Sequence, residues 1–486
     1  MTESTRRRLT LAATVLGSSL AFIDASVVVV ALPTIERDLG FGLAGEQWVY
    51  LAYSLALAAL YLPAGGVGDR FGRRETFAAG VVAFAAASAL AGAAPDGAVL
   101  IVARALQGVA GAFVTTNSLA LLRETYGRES GRAVGLWTSF TSVATIGGPP
   151  LGGAIVQWVS WRWIFFLNLP LAVASVYLVL AGRCPQRAVH RVGRLDVPGA
   201  GLAAVAFGAL TYAMVSGADH GFGSVWWAFV LAAASLAGFV LVERRVSEPL
   251  LPFGVFRTRN FAFANLETFL VYGALGGMFF FFTIYLQFIG FSPLAAGLAN
   301  VPTGIAMIVL APRFGRVADE RGPRLMLTAG PVLLGCGTLL WSFMEDRSDF
   351  WRFGVAGLAA SSLGLAALVA PITSTALVSA PERFSGIASG VNSTLSRLGN
   401  LLAVALLGFV VLLVFKASGG SHGVPLARGQ SEAGLRSASV DAFRVAMLFA
   451  SGLAFAGAAV AVFGISNEEA KREGEPTEAA ARAAGR

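Results

Sequence analysis

Charge is scarce in this chain: of its 486 residues only 13% are Asp, Glu, Lys or Arg. Soluble domains carry about 25%, so an ordinary water-soluble fold is excluded. Cysteine is nearly absent. Cys184 falls in a loop and Cys336 inside an apolar segment, so no structural disulfide is expected. The three histidines, His190, His220 and His422, fall in loops and cluster with nothing. Metal catalysis and a Ser-His-Asp triad therefore have no support within the apolar segments, and no metal site is expected. No Gly-x-x-x-x-Gly-Lys-Ser/Thr loop occurs, so a nucleotide-hydrolysing motor has no site; no cofactor is expected. Lysine is limited to Lys416 and Lys471. Nearly all basic charge is thus arginine, which together with abundant Ala and Gly suggests a GC-rich bacterial genome.

What is present is apolar. Hydrophobic residues make up 56% of the chain and the mean hydropathy is +0.70, the signature of an all-α polytopic membrane protein. Fourteen runs each reach about the 20 residues that a bilayer needs: 9–33, 47–67, 76–94, 98–122, 132–156, 162–181, 196–216, 225–242, 260–288, 293–312, 324–343, 351–376, 385–415 and 441–464. The first run is too long for the core of a cleaved signal peptide. The tail from residue 466 is charged and rich in Ala and Glu, which predicts disorder.

An even number of spans puts both termini on one side, and arginine chooses the side. With the N-terminus inside, cytoplasmic segments hold 26 Lys and Arg and external ones 8, with Arg104 and Arg397 left inside spans. That bias predicts a multi-pass protein of a bacterial cytoplasmic membrane with both termini cytoplasmic. The net charge of +8 then follows the membrane and implies no nucleic-acid partner.

The loop after the second segment reads Gly65-Gly66-Val67-Gly68-Asp69-Arg70-Phe71-Gly72-Arg73-Arg74. Gly65 and Asp69 share a helix face, and Gly65, lacking a side chain, would let a neighbouring helix approach. Gly72 supplies the positive φ of a tight reversal. Asp69 offers a negative charge to a helix N-terminus or an arginine, while Arg70, Arg73 and Arg74 mark the cytoplasmic side. A fainter copy, Gly315-Arg316-Val317-Ala318-Asp319-Glu320-Arg321-Gly322-Pro323-Arg324, follows the tenth segment and keeps the Gly-x-x-x-Asp-x-x-Gly frame. In a six-plus-six repeat the copy would follow the eighth, so two helices have been inserted. The seventh and eighth, lying between basic loops, are the natural insertion. The expected organisation is a six-helix half at 1–181, basic loops and an inserted hairpin at 182–259, a second half at 260–465 and a cytoplasmic tail at 466–486.

This loop resembles the signature between the second and third helices of the major facilitator superfamily, and its copy resembles that of the second half. The resemblance implies the corresponding fold, with two six-helix halves around a central cavity. It also implies that Gly65, Asp69, Arg70, Gly72, Arg73, Gly315, Asp319 and Gly322 take part in conformational gating.

Four ionisable residues lie deep in apolar runs: Asp24, Arg104, Glu267 and Arg397. A charge at the centre of a spanning helix costs roughly 2.5–3.5 kcal/mol on insertion scales, so each is a functional candidate. Counted from Pro33, Asp24 lies about 14 Å below the outer surface, and Arg104 about 9 Å. Those depths permit an ion pair, either coupled to transport or merely locking two helices. The flank Ile23-Asp24-Ala25-Ser26-Val27-Val28-Val29-Val30-Ala31-Leu32-Pro33 resembles the first-helix signature of fourteen-helix drug:proton antiporters, except that Val29 stands where that branch usually has Asn. Arg104-Ala105-Leu106-Gln107-Gly108 is similar to the superfamily's Arg-x-x-Gln-Gly motif, which implies proton handling by Arg104. Gly147-Gly148-Pro149-Pro150-Leu151-Gly152-Gly153 resembles the antiporter Gly-Pro signature, with Ala144 in place of its first glycine. Gly148, Pro149, Gly152 and Gly153 would then give a kinked helix with one face free of bulk, able to pivot on a partner.

In the thirteenth segment Asn392, Ser396, Arg397 and Asn400 share one polar face with Ser389 and Ser393. In lipid such a face must meet protein or water, so these residues either line the cavity or hydrogen-bond a neighbouring helix. Glu267 is a second proton or cation site or the static partner of Arg397. The run Phe279-Phe280-Phe281-Phe282 with Tyr285 circles its helix and is expected to face lipid rather than a greasy pocket.

Together with the resemblance, these observations predict a monomeric, proton-coupled antiporter exporting amphipathic organic compounds, with a lipophilic small molecule as substrate and Asp24, Arg104 and Glu267 in coupling. A non-transporting receptor of the same fold and an uncoupled facilitator are the competing functions. An enzyme is not expected.

Overall fold

A computed structural model of the protein describes residues 2–127, 130–182, 197–246, 251, 253–380, 385–420, 423–430 and 432–469. Most of the basic loop at 182–195 with Cys184 and His190, position His422, and the tail beyond residue 469 lie outside these residues. All regular elements among the described residues are helical. They are α1 (Glu3–Leu39), α2 (Gly42–Phe71), α3 (Arg73–Gly92), α4 (Gly97–Tyr126), α5 (Ser130–Trp158), α6 (Trp163–Phe166), α7 (Asn168–Ala181), α8 (Val197–His220), α9 (Phe222–Glu243), α10 (Arg259–Phe288), α11 (Pro293–Leu298), α12 (Val301–Arg321), α13 (Arg324–Trp341), α14 (Val355–Val378), α15 (Ser385–Ala417) and α16 (Ala433–Gly464).

Among the described residues 12 helical stretches are long and apolar enough to cross a membrane, α6 with α7 and α11 with α12 counting as one each. The two arms of α2, Gly42–Tyr61 and Pro63–Phe71, meet at 56° and make a further span; Pro63 accounts for the bend by removing a ladder bond. The 29-residue α5 occupies the place of the fifth segment read from the sequence.

Several ends differ from the sequence reading. α1 does not stop at Pro33 but runs to Leu39, where Gly40 in the left-handed conformation (φ 66°) closes it. Asp24 therefore lies about 22 Å from that end rather than 14 Å. The extension carries Asp38, which accepts from Trp161 Nε1 at 2.8 Å and Arg162 Nη1 at 2.9 Å. A polar helix end is tolerated because a neighbour satisfies it. α2 starts at Gly42, which brings Glu46 inside the helix and buries it. α16 starts at Ala433, eight residues before the expected position.

The aromatic run is also placed differently. Phe280, Phe281, Phe282 and Tyr285 are all buried in protein rather than turned to lipid. Phe280 packs on Tyr50 with ring centroids 5.4 Å apart. A helix that is apolar all round belongs in the interior of a bundle.

The chain forms two compact units. Unit 1 comprises Met1–Leu250, Phe280–Val301 and Gly408–Ala442; unit 2 comprises Leu251–Phe279, Pro302–Leu407 and Phe443–Arg486. In unit 1, α1 packs against α4, α5 and α7, and α3 against α4 and α7. The hairpin α8–α9 leans on α2 through a stack of Trp48, Tyr212 and Trp227, at centroid distances of 6.3 and 5.5 Å. Later segments join the same unit: Gln287 Nε2 of α10 donates to the Val30 carbonyl of α1 at 2.9 Å. In unit 2 the seam between α13 and α14 is made of glycine, and a Cβ on Gly364 would lie 2.5 Å from the Gly330 carbonyl oxygen. Small residues let membrane helices approach this closely.

Candidate functional site

Four helices of unit 1 converge on Asp24. α4 brings Arg104 and Gln107, three residues apart and therefore on one face. Its approach to α2 depends on Gly108, where a Cβ would lie 2.3 Å from the Tyr53 carbonyl oxygen. Close contact lets the Arg104 guanidinium lie over the Tyr53 ring, 4.5 Å from its centroid, while Nε donates to the Val49 carbonyl at 3.1 Å. Arg104 Nη1 pairs with Asp24 Oδ2, and their side chains are 0% and 1% exposed. The same nitrogen donates to Gln107 Oε1 at 2.8 Å.

The other carboxylate oxygen takes two amides. Gln107 Nε2 and Asn168 Nδ2 each donate to Asp24 Oδ1 at 3.0 Å. Both amides also donate to Ser88 Oγ of α3, at 2.8 and 3.2 Å. Every hydrogen bond that Asp24 accepts here thus comes from a donor suited to a charged carboxylate, which is how a buried ion pair is sustained. Two atoms of the network are buried without a hydrogen-bond partner, Arg104 Nη2 and Asn168 Oδ1. The Asp24–Arg104 pairing permitted by the sequence is therefore made. Sequence reasoning does not single out Ser88, Asn168, Val49 or Tyr53. Asn168, a lone amide in an apolar run, is the one readable signal among them.

At the α2–α3 turn Gly72 has φ 99°, the conformation expected of it. Gly65 is not the point of close approach: nothing lies within 4 Å of a Cβ placed there, whereas a Cβ on Gly68 would meet Asn117 Oδ1 at 1.8 Å. Asp69 finds its arginine within the turn, pairing with Arg73 Nη2 at 2.7 Å, and Arg73 Nη1 reaches the Ala120 carbonyl at 3.3 Å. Arg70 lies over the ring of Phe71. In the copy, Gly322 again has positive φ, 90°. Pro323 stands where Arg73 stands in the first loop, so Asp319 has no arginine one turn on. Instead Asn467 ties this turn, accepting from Arg324 N at 3.1 Å. Gly315 lies near Ala370, which a Cβ there would meet at 3.8 Å.

α5 continues as one helix through Pro149 and Pro150. Its bare face receives side chains of α1 on one side and the backbone of α11 on the other. A Cβ on Gly148 would meet Ser26 Oγ at 1.9 Å and one on Gly152 would meet Val27 Cγ1 at 2.7 Å, both on α1. Towards α11, a Cβ on Gly153 would meet the Pro293 carbonyl oxygen at 2.4 Å, and one on Gly297 the Pro149 carbonyl oxygen at 2.2 Å.

In unit 2 the polar face of α15 meets α10. Asn392 Nδ2 of α15 donates to Thr268 Oγ1 at 2.9 Å and Asn265 Oδ1 at 3.3 Å, both on α10. Ser396 donates to the Ser393 carbonyl of its own helix at 2.9 Å. Asn400 packs on Gly276, where a Cβ would lie 2.6 Å from its Cγ. Arg397 is half-buried on the same helix. Glu267 is fully buried, and its two carboxylate oxygens accept no hydrogen bond from Arg397 or any other described residue.

Comparison with known proteins agrees with this architecture. The family model of the Major Facilitator Superfamily matches residues 14–404 and 268–484. The multidrug resistance protein Stp of Mycobacterium tuberculosis is 37% identical over 408 residues, covering 83% of this chain and 75% of that protein. The tetracenomycin C resistance and export protein of Streptomyces glaucescens is 34% identical, with coverages of 83% and 75%. The puromycin resistance protein pur8 of Streptomyces alboniger is 33% identical, with coverages of 89% and 86%. Among solved structures, an inward-facing bacterial homologue of the human lysosomal transporter Spinster superposes with TM-score 0.68 at 15% identity, covering 97% of this chain and 99% of that one.

Proposed function

The chain belongs to the major facilitator superfamily, and we propose that it is a proton-coupled antiporter exporting amphipathic organic compounds (drugs, antibiotics or secondary metabolites) across a bacterial cytoplasmic membrane. The relatives named for multidrug resistance, tetracenomycin C export and puromycin resistance support the export of such compounds. The observation that carries the coupling is Asp24, a buried acid held by side chains from α4 and α7 together. An acid in that position binds a proton from outside and releases it inside as the helices around it exchange access. One inward proton gains about 2.3 kcal/mol per 100 mV from the potential alone, enough to bias export without a nucleotide.

In this reading residues 1–181 and 260–465 are the moving halves, 182–259 carries the inserted hairpin, and both termini are cytoplasmic. The turn holding Asp69 and the bare face of α5 serve as gating surfaces. Glu267 is a second protonatable site, and the polar face of α15 meets substrate where α10 does not occupy it. The working unit is a monomer in the bilayer, and the chain is a transporter rather than an enzyme.

Reconstituted vesicles with an imposed pH gradient test this. Movement of a lipophilic dye and of protons is followed for the natural chain and for Asp24→Asn. Gradient-driven accumulation with counterflow of protons is expected for the natural chain, and its loss in a well-folded Asp24→Asn variant. Flux indifferent to the gradient would make the protein an uncoupled facilitator; absence of flux with retained dye binding would favour a receptor.

A further inference from the structure

Asn168 does more than tie two helices. It opens α7 just after the break at Leu167, and its side chain is wholly buried. Among the described residues its Nδ2 bonds Asp24 Oδ1 at 3.0 Å and Ser88 Oγ at 3.2 Å. Its Oδ1 is buried with no partner, an arrangement that native interiors avoid. Arg104 differs, because its bonds to Val49 and Gln107 hold it whatever the state of Asp24. The charged group facing Asp24 is this Arg104 of α4, whose guanidinium lies over the Tyr53 ring of α2; α4 also supplies neutral Gln107, and α3 and α7 neutral Ser88 and Asn168.

We propose that Asn168 is a positioning residue that reads the protonation state of Asp24, an inference resting on the coupling role given above. With Asp24 charged, the amide presents Nδ2 to the carboxylate. When Asp24 takes a proton from the external side, it gains an O–H and needs an acceptor. A half-turn of the Asn168 amide then brings Oδ1, unpartnered until then, to accept from that O–H and from the Ser88 hydroxyl. A primary amide carries both functions on one planar group, donor and acceptor exchanging by that rotation. One proton is added to Asp24 and no other group changes its proton count. The neutral acid loses its ion pair with Arg104 on α4 but keeps a bond to α7. Proton uptake thus weakens the hold of α4 on α1 to the Gln107 amide while the bond to α7 is kept, and proton release restores the ion pair.

Infrared difference spectra of the reconstituted full chain between high and low pH test this, using protein with and without ¹⁵N in the asparagine side-chain amides. The expected result is a carboxyl C=O band, lost in Asp24→Ala, accompanied by a label-sensitive amide band lost in both Asp24→Ala and Asn168→Leu. In Asn168→Leu the Asp24 carboxyl band moves to higher frequency, because its O–H has lost its acceptor. Should Asn168→Leu fold poorly, the spectra of the labelled natural chain still decide the matter. An Asp24 band with no label-sensitive amide change overturns the proposal and leaves the coupling reading intact. No Asp24 band at any pH overturns both. An unshifted band with undiminished coupled export in well-folded Asn168→Leu also overturns it.

Discussion

Gly153 of α5 is pressed on the backbone of Pro293, whose carbonyl oxygen a Cβ at that position would meet at 2.4 Å. Backbone cannot swing aside as a flexible side chain can, so Gly153→Ala should cost about 1–3 kcal/mol through overpacking. Thermal unfolding in detergent should show a lowered midpoint, with reduced export. Gly147→Ala, where nothing lies within 4 Å of the added Cβ, is the control and should match the natural chain. Equal stability of the two variants would remove the packing role of this face.

The Asp24–Arg104 pair separates a working acid from a static lock. Asp24→Asn keeps the size and some bonds of the acid but leaves Arg104 buried without its counter-charge. If coupling is the role, the variant reaches the membrane and exchanges substrate downhill without gradient-driven export. If the pair only locks helices, abundance falls, and Asp24→Asn with Arg104→Gln restores folding and flux together. Abundance by in-gel fluorescence and proton flux in vesicles distinguish the two outcomes.

Arg104→Lys should fail despite conserving charge. The guanidinium bonds Asp24 and Gln107 through Nη1 and the Val49 carbonyl through Nε, and its carbon lies 4.5 Å from the Tyr53 ring centroid. An ammonium cannot match that fork or the stacking. Gradient-driven export is expected to fall at least as far as in Arg104→Gln, as measured by proton flux in vesicles; export at the natural rate would show that charge alone suffices.

Asp69→Asn should impair export while abundance stays near normal. Its ion pair with Arg73 is partly exposed, with side chains 40% and 33% accessible, and such pairs contribute roughly 1 kcal/mol or less. Turnover by Asp69→Asn equal to the natural chain would reduce the loop to a simple basic turn.

Asn392 spends its amide on Asn265 and Thr268 of α10. Asn392→Leu is expected to lower stability by about 1 kcal/mol, the scale of interhelical bonds in membranes, with an unchanged profile of exported compounds. A changed resistance profile with intact stability would place Asn392 in the substrate path.

The sequence by itself determined the class and the order of helices, and permitted the pairing of Asp24 with Arg104. Uninterrupted apolar runs have few alternatives to spanning a bilayer, and an acid and an arginine at compatible depths are free to meet, as Asp24 and Arg104 do and Glu267 and Arg397 do not. Gly72 and Gly322 were legible for a similar reason, since a reversal between two helices demands a positive φ that few other residues adopt. Tertiary structure decided what depends on how each helix is rotated and who its neighbours are. Gly68 rather than Gly65 faces Asn117 because α2 presents that side to α4. Phe280, Phe281 and Phe282 are buried because α10 runs through the interior, although their composition suits lipid equally well. Asn168 and Ser88 joined Asp24 only when α7 and α3 closed round α1; a lone amide in an apolar run marks Asn168 as a candidate, but nothing local says which buried group it or Ser88 will face.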